Sequence, residues 1–265
     1  MAVLRSKRQI AKTEFENTFA TLYNEIRRCT MAIPRRRQKW LCNEVNKLIN
    51  LVYREVVEIN DYYHSNRSKR IEHRRYVIDS ALGHIYDLEK PLMVLWNVRC
   101  FETDKMARMV ELINREIDLL NSIDNQGKKT DRFIMLDWRV INNVRFLKNM
   151  SDLHRYTHGK VANARMDYDD TSGALLIAAV DDAFFSIMQA NRKIPTNRKE
   201  YEQRREYISH SIMCLKEMYR HLLSYFNLMQ YSERVMNEWS SYVTDELKLL
   251  FAVQSSDKKR FGSLE

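Results

Sequence analysis

FENTFATLYNEIRRCTMAIPRRRQKW, residues 15–40, runs an apolar stripe into a proline and then into a cluster of cations. Phe15, Phe19, Leu22, Tyr23, Ile26 and Cys29 recur at three- and four-residue steps, the period that gathers side chains on one face of an α-helix. Pro34 ends the stripe. Proline disfavours the α conformation in the residue before it and suits the first turn of the helix after it. The stretch therefore predicts two helices meeting at a corner, with Arg35, Arg36, Arg37, Lys39 and Trp40 just beyond it.

The same period continues outward. A second helix is predicted over about 36–64, with Trp40, Leu41, Val45, Leu48, Ile49, Val52, Val56 and Ile59 inward. A third covers about 71–98 and turns Tyr76, Ile78, Leu82, Ile85, Leu88, Leu92 and Leu95 inward. Pro91 lies inside it and predicts a kink or an early end. A fourth opens at Glu102 or Thr103 and carries Met106, Met109, Val110, Ile113, Ile117 and Leu120. The polar segment DNQGKKTDR, residues 124–132, reads as a domain boundary. Beyond it, helices are expected near 131–157, 174–192, 198–229 and 232–254, with a looser segment at 157–173. Only 5 glycines and 3 prolines interrupt 265 residues, too few for the turns of a strand-rich fold. The expectation is an all-α protein: an antiparallel four-helix bundle in residues 1–125, a second helical bundle in 131–254, and a flexible tail in 255–265.

The halves also resemble each other weakly. IPRRRQKW (33–40) pairs with IPTNRKEY (194–201) at an offset of 161, which also aligns Phe15, Phe19, Leu22 and Ile26 with Leu176, Val180, Ala183 and Ile187. RRYVIDS (74–80) pairs with RREYISHS (204–211), and 105–120 with 235–250, at an offset near 130. A degenerate duplication is one reading of these matches; chance similarity among helices is the other.

Charge narrows the function. The chain carries 44 Lys+Arg against 35 Asp+Glu, a net of +9. Residues 1–130 hold 24 cations and 17 acids, a net of +7, which leaves 20 against 18, a net of +2, for the rest. A basic first half suits a polyanion such as nucleic acid, or an acidic protein surface. Arginine forks match phosphate geometry. Arg35, Arg36, Arg37 and Lys39 at one end of the second helix, and Arg67, Lys69, Arg70, Arg74 and Arg75 beyond its other end, are the candidate contacts. Trp40 is the tryptophan placed to stack on a base. Solvated helix ends would carry the same residues without that role.

In order, the first 122 residues read as an aromatic-rich helix (FENTFATLY), an Ile-Pro-Arg corner (AIPRRR), a long second helix, a third helix rich in large apolar residues (ALGHIYDLEKPLMVLW) and a closing amphipathic helix (MARMVELINREIDLLNSI). This arrangement resembles the accessory variability determinant (Avd) proteins of diversity-generating retroelements. It also resembles the small bundle proteins encoded in ribosomal RNA intervening sequences. The family's Gly-Trp ending on the fourth helix is absent, and residues 131–265 exceed the single-bundle length. The resemblance implies a protein without enzymatic activity that binds the element's reverse transcriptase and its template RNA or cDNA, and that forms a homo-oligomer. Pro34 matches the family's corner, and Arg35, Arg36 and Arg37 match the basic residues after it.

Other chemistry is sparse. There is no P-loop, no GxSxG and no CxxC. MDYDD (166–170) places Tyr168 directly beside Asp169 and reads as an acidic loop rather than a polymerase motif. His154 and His158 stand four residues apart and could face one metal ion, but they precede Gly159, where histidine commonly caps a helix end. Asp181 and Asp182 point to different sides of their helix and make a poor acid/base pair. No cofactor or metal is expected. Cys29, Cys42, Cys100 and Cys214 show no ligand spacing and read as core residues of a protein in a reducing compartment, so a cytoplasmic location is expected. The N-terminal MAVLRSKRQIAK lacks the apolar core of a secretory signal, and no run approaches 18 uncharged apolar residues, so no membrane association is expected. The alternative to nucleic-acid binding is a helical protein-interaction module without direct nucleic-acid contact.

Overall fold

The computed structural model describes residues 2–33, 42–62, 68–124, 133, 138–163, 171–192, 194–229 and 231–264, excepting the side chains of 2–13, 62, 68, 124, 138 and 171. Every regular element among the described residues is helical. The chain divides into two compact units, Met1–Met135 and Leu136–Glu265.

Unit 1 contains α1 (Ala2–Ala32), α2 (Asn43–Tyr62), α3 (Ser68–Asp87), α4 (Glu89–Asn97) and α5 (Thr103–Asp124). The four long helices pack in a closed cycle: α1 on α2, α2 on α3, α3 on α5, and α5 on α1. Cross-helix pairs give their directions. Tyr23 bonds Asn50 while Arg27 bonds Asn46; Glu55 bonds Ser80 while Glu58 bonds His73; Arg115 pairs with Glu14 while Arg108 pairs with Glu25. In each case one number rises as the other falls, so neighbours run antiparallel. Phe15, Phe19, Leu22 and Ile26 meet Val45, Ile49, Val52, Ile113 and Ile117 in the core, all at most 1% exposed. Fully burying such a side chain contributes about 1.5–3 kcal/mol. Tyr76, expected inward, is 71% exposed, and Val77 and Ile78 take the core side.

The third predicted helix is two helices. The break falls at Leu88, three residues before Pro91. Pro91 has no N–H for the carbonyl four residues back, so it sits in the first turn of α4 instead of mid-helix. α4 closes with Arg99 N–H on the Trp96 carbonyl (3.0 Å) and Cys100 N–H on the Leu95 carbonyl (2.9 Å). Arg99 has φ 58°, the left-handed position that usually belongs to glycine in this terminus.

Unit 2 contains α6 (Trp138–Asn143), α7 (Arg145–Ala162), α8 (Thr171–Ala190), α9 (Arg198–Met229) and α10 (Glu233–Phe261), followed by a 3₁₀ turn at Gly262–Leu264. Its long helices also close a cycle: α7 on α8, α8 on α9, α9 on α10, and α10 on α7. Ser211 Oγ donates to the Ala183 carbonyl and Arg204 to that of Ala190. Asn149 bonds Glu246 while Trp239 bonds Thr157. These pairs make neighbours antiparallel here too. Gly173 admits a close crossing, since an added Cβ would stand 3.3 Å from Val161 Cγ1. At the second Ile-Pro corner, Asn197 Oδ1 accepts from Glu200 N–H (3.0 Å) and Glu200 reaches back to Thr196 N–H (2.9 Å), capping α9. The first corner, at Pro34, lies outside the described residues.

Three expectations change in this unit. The helix expected over 131–157 breaks at Val144, whose backbone is extended (φ −106°, ψ 111°). The segment expected to loosen at 157 stays helical to Ala162, because Thr157 and His158 face the core. The tail expected from 255 is the last part of α10, where Asp257 is 5% exposed and bonds Arg204 at 2.6 Å. Ser172–Ala190 is long and apolar enough by composition to cross a membrane, but here it is the helix that α7 and α9 cover.

The repeat at an offset near 130 pairs α3 with α9 and α5 with α10, helices that hold third and fourth place in their cycles. The offset of 161 pairs α1 with α8, a first helix with a second. The two offsets therefore do not share one register.

Candidate functional site

Of the candidate nucleic-acid contacts, Arg35, Arg36, Arg37, Lys39, Trp40 and Arg67 lie outside the described residues. Lys69, Arg70, Arg74 and Arg75 occupy the first two turns of α3. Lys69, Arg70 and Arg75 are exposed, while Arg74 is half-buried. Arg70 and Arg74 stand one turn apart on one face. The first turn of α3 contains no acidic residue, so Lys69 and Arg70 stand at the positive end of the helix dipole, an unfavourable placement that is screened by salt. The carboxylates of α2 serve the rest of α3: Glu58 bonds His73 (2.7 Å), and Glu55 bonds Ser80 (2.6 Å) and His84 (3.0 Å). These bonds tie α3 to α2 beyond the cationic first turn.

Unit 2 holds a second cluster. His154 and His158 are buried on one face of α7, and their Nε2 atoms lie 2.9 and 2.7 Å from the same Asp181 Oδ1 on α8. The imidazole centroids are 4.6 Å apart, and Phe184 covers His154 at 4.5 Å. Burial pushes His154 down to about 4, helped by the neighbouring His158, against the pull of Asp181. Burial pushes the Asp181 carboxyl up, but the two imidazoles, His158 foremost, outweigh it and hold it below the ordinary carboxylate range. These histidines are therefore interior residues, not caps of a helix end, because α7 continues a full turn past Gly159's predecessor to Ala162. Asp181 was legible only as an acid set inside the apolar run ALLIAAVDDAFF.

Two further polar features lie between α7 and α10. Trp239 Nε1 donates to Thr157 Oγ1 (3.0 Å) among Tyr156, Tyr225 and Tyr231. Glu246, fully buried, accepts from Asn149 (2.9 Å), and burial pushes it up to about 8. Beside it opens a cleft of about 360 Å³ lined by Arg145, Lys148, Lys248, Asp152 and Asp245, a near balance of signs. Trp96 and Trp239 are each 1% exposed, as core residues are.

Comparison with protein-family models, with curated proteins and with solved structures finds no match to this chain.

Proposed function

We propose that this chain is a non-enzymatic accessory protein that binds nucleic acid, the template RNA or cDNA of a retroelement, and the reverse transcriptase that copies it. The observation that carries the reading is the charge: +7 of the net +9 falls in residues 1–130, with Lys69 and Arg70 exposed at the dipole-unfavourable start of α3 and Arg75 exposed one turn further on. The Ile-Pro-Arg corner at 33–37 and its resemblance to the Avd proteins supply the polymerase and the template. In this mechanism the helical bundle is a stiff support. Its cations neutralise phosphates along a strand, and the polymerase docks on a mixed surface beside them.

The test is fluorescence anisotropy with a labelled single-stranded RNA between 50 and 200 mM salt. Each neutralised phosphate of a single strand adds about −0.7 to the slope of log K against log salt. Replacing Arg35, Arg36 and Arg37 by Gln should flatten that slope by about 2 while leaving pull-down of the polymerase intact. A flat salt response in the unmodified chain refutes nucleic acid as the partner. The second reading, a protein-interaction module alone, is favoured by Tyr53 and Val57, one turn apart on α2 and 48% and 46% exposed. On that reading the polymerase binds, RNA does not, and a Tyr53→Ser, Val57→Ser variant loses the polymerase.

A further inference from the structure

We propose that His154, His158 and Asp181 form a binding site for one divalent transition-metal ion of the zinc class, clamping α7 to α8. The donor atoms carry the inference. Two imidazoles four residues apart on α7 turn the same atom, Nε2, onto one oxygen of a carboxylate from another helix. The candidate donor atoms of the three side chains all lie within 4.8 Å of one another. A tetrahedral ion with bonds of about 2.0–2.2 Å holds adjacent donors about 3.3–3.6 Å apart. The observed 2.7 and 2.9 Å separations would have to open by roughly 0.4–0.9 Å to reach that spacing.

The surroundings suit an ion as well. His154 is wholly buried and Phe184 lies against its ring, so the site is walled by apolar surface on that side and electrostatic attraction within it is strong. Among the described residues, charged groups near the trio include Arg155, which pairs with Asp152, and Asp182, the neighbour of Asp181 in sequence. The Asp181 carboxylate is largely buried, and a divalent cation would supply compensating charge. Asp181 keeps 17% of its side chain exposed and His158 9%, which leaves an entry path and room for water as the fourth ligand. Two imidazoles and one carboxylate are a donor set of borderline softness, matched to Zn²⁺ and Co²⁺ rather than to Mg²⁺ or Ca²⁺.

The experiment uses the full chain, stripped with a chelator and dialysed, then titrated with Zn²⁺ by calorimetry and with Co²⁺ by visible absorption. One ion per chain and the d–d bands of four-coordinate Co²⁺, without a thiolate charge-transfer band, are expected. Asp181→Asn keeps the shape of the site and should weaken Zn²⁺ binding by about 100-fold or more, with the far-UV spectrum unchanged; His158→Ala should do the same. Magnesium should not compete. No uptake by the folded chain overturns the proposal and leaves a hydrogen-bonded trio only. Uptake unchanged in Asp181→Asn, or a thiolate band, also overturns it by placing the ion elsewhere.

Discussion

Asp257 decides whether the end of the chain is a docked helix. Its side chain is 7% exposed and that of Arg204 is 13%. Arg204 Nε donates to Asp257 Oδ2 at 2.6 Å, and the same guanidinium donates to the Ala190 carbonyl, so one residue of α9 ties α8 and α10 together. Removing one member of a buried pair leaves the other charge without compensation and costs about 3–5 kcal/mol. Even the lower figure is about 150-fold in an opening equilibrium, at 1.36 kcal/mol per decade. Asp257→Ala should therefore release the last two turns of α10, and hydrogen exchange followed by mass spectrometry reads this directly. Backbone amides between 251 and 261 should exchange at least 100-fold faster in the variant, while those of α7 stay protected. Arg204→Met added to Asp257→Ala should recover part of the loss, because no uncompensated guanidinium then remains. The reasoning is refuted if the wild-type segment already exchanges at the rate of a free peptide, or if Asp257→Ala leaves its exchange unchanged.

Two more outcomes follow from single residues. Glu246, with its carboxyl pushed up to about 8 by burial, holds a proton in the folded chain that the unfolded chain releases near pH 4.3. Stability should then fall as pH rises from about 4.3 to 8, by up to about 1.4 kcal/mol per unit; Glu246→Gln keeps the acceptor for Asn149 and should flatten urea-melt stabilities measured across that range. Arg99 adopts φ 58° at the end of α4, so Arg99→Gly should raise thermal stability by about 1 kcal/mol, and a lowered melting temperature would refute the account of that terminus.

The helices were legible because their signal is local. Phe15, Phe19, Leu22 and Ile26, or Met106, Met109, Ile113 and Ile117, recur with a helix's own period, and each set is buried. The errors share one cause. Tyr76 belongs to the apolar class yet is exposed, because which of several nearby apolar residues faces inward depends on where α2 and α5 lie. Likewise the sequence 255–261 is polar enough to read as a tail, and only the Arg204 guanidinium, 53 residues before Asp257, makes it a packed helix.

The candidate sites divide in the same way. Clustered cations at 35–39 and 67–75 are visible in sequence, since adjacency in the chain is adjacency in space over one or two turns. The meeting of His154 and His158 with Asp181 is not, since it joins residues 23 and 27 positions apart across two helices. By itself the sequence determined that this protein is helical, where its helices pack apolar faces, and which half is basic, because periodicity and charge are properties of neighbouring residues. Tertiary structure alone decided which polar groups share the interior, because burial and the pairing of buried charge depend on surfaces that distant segments bring together.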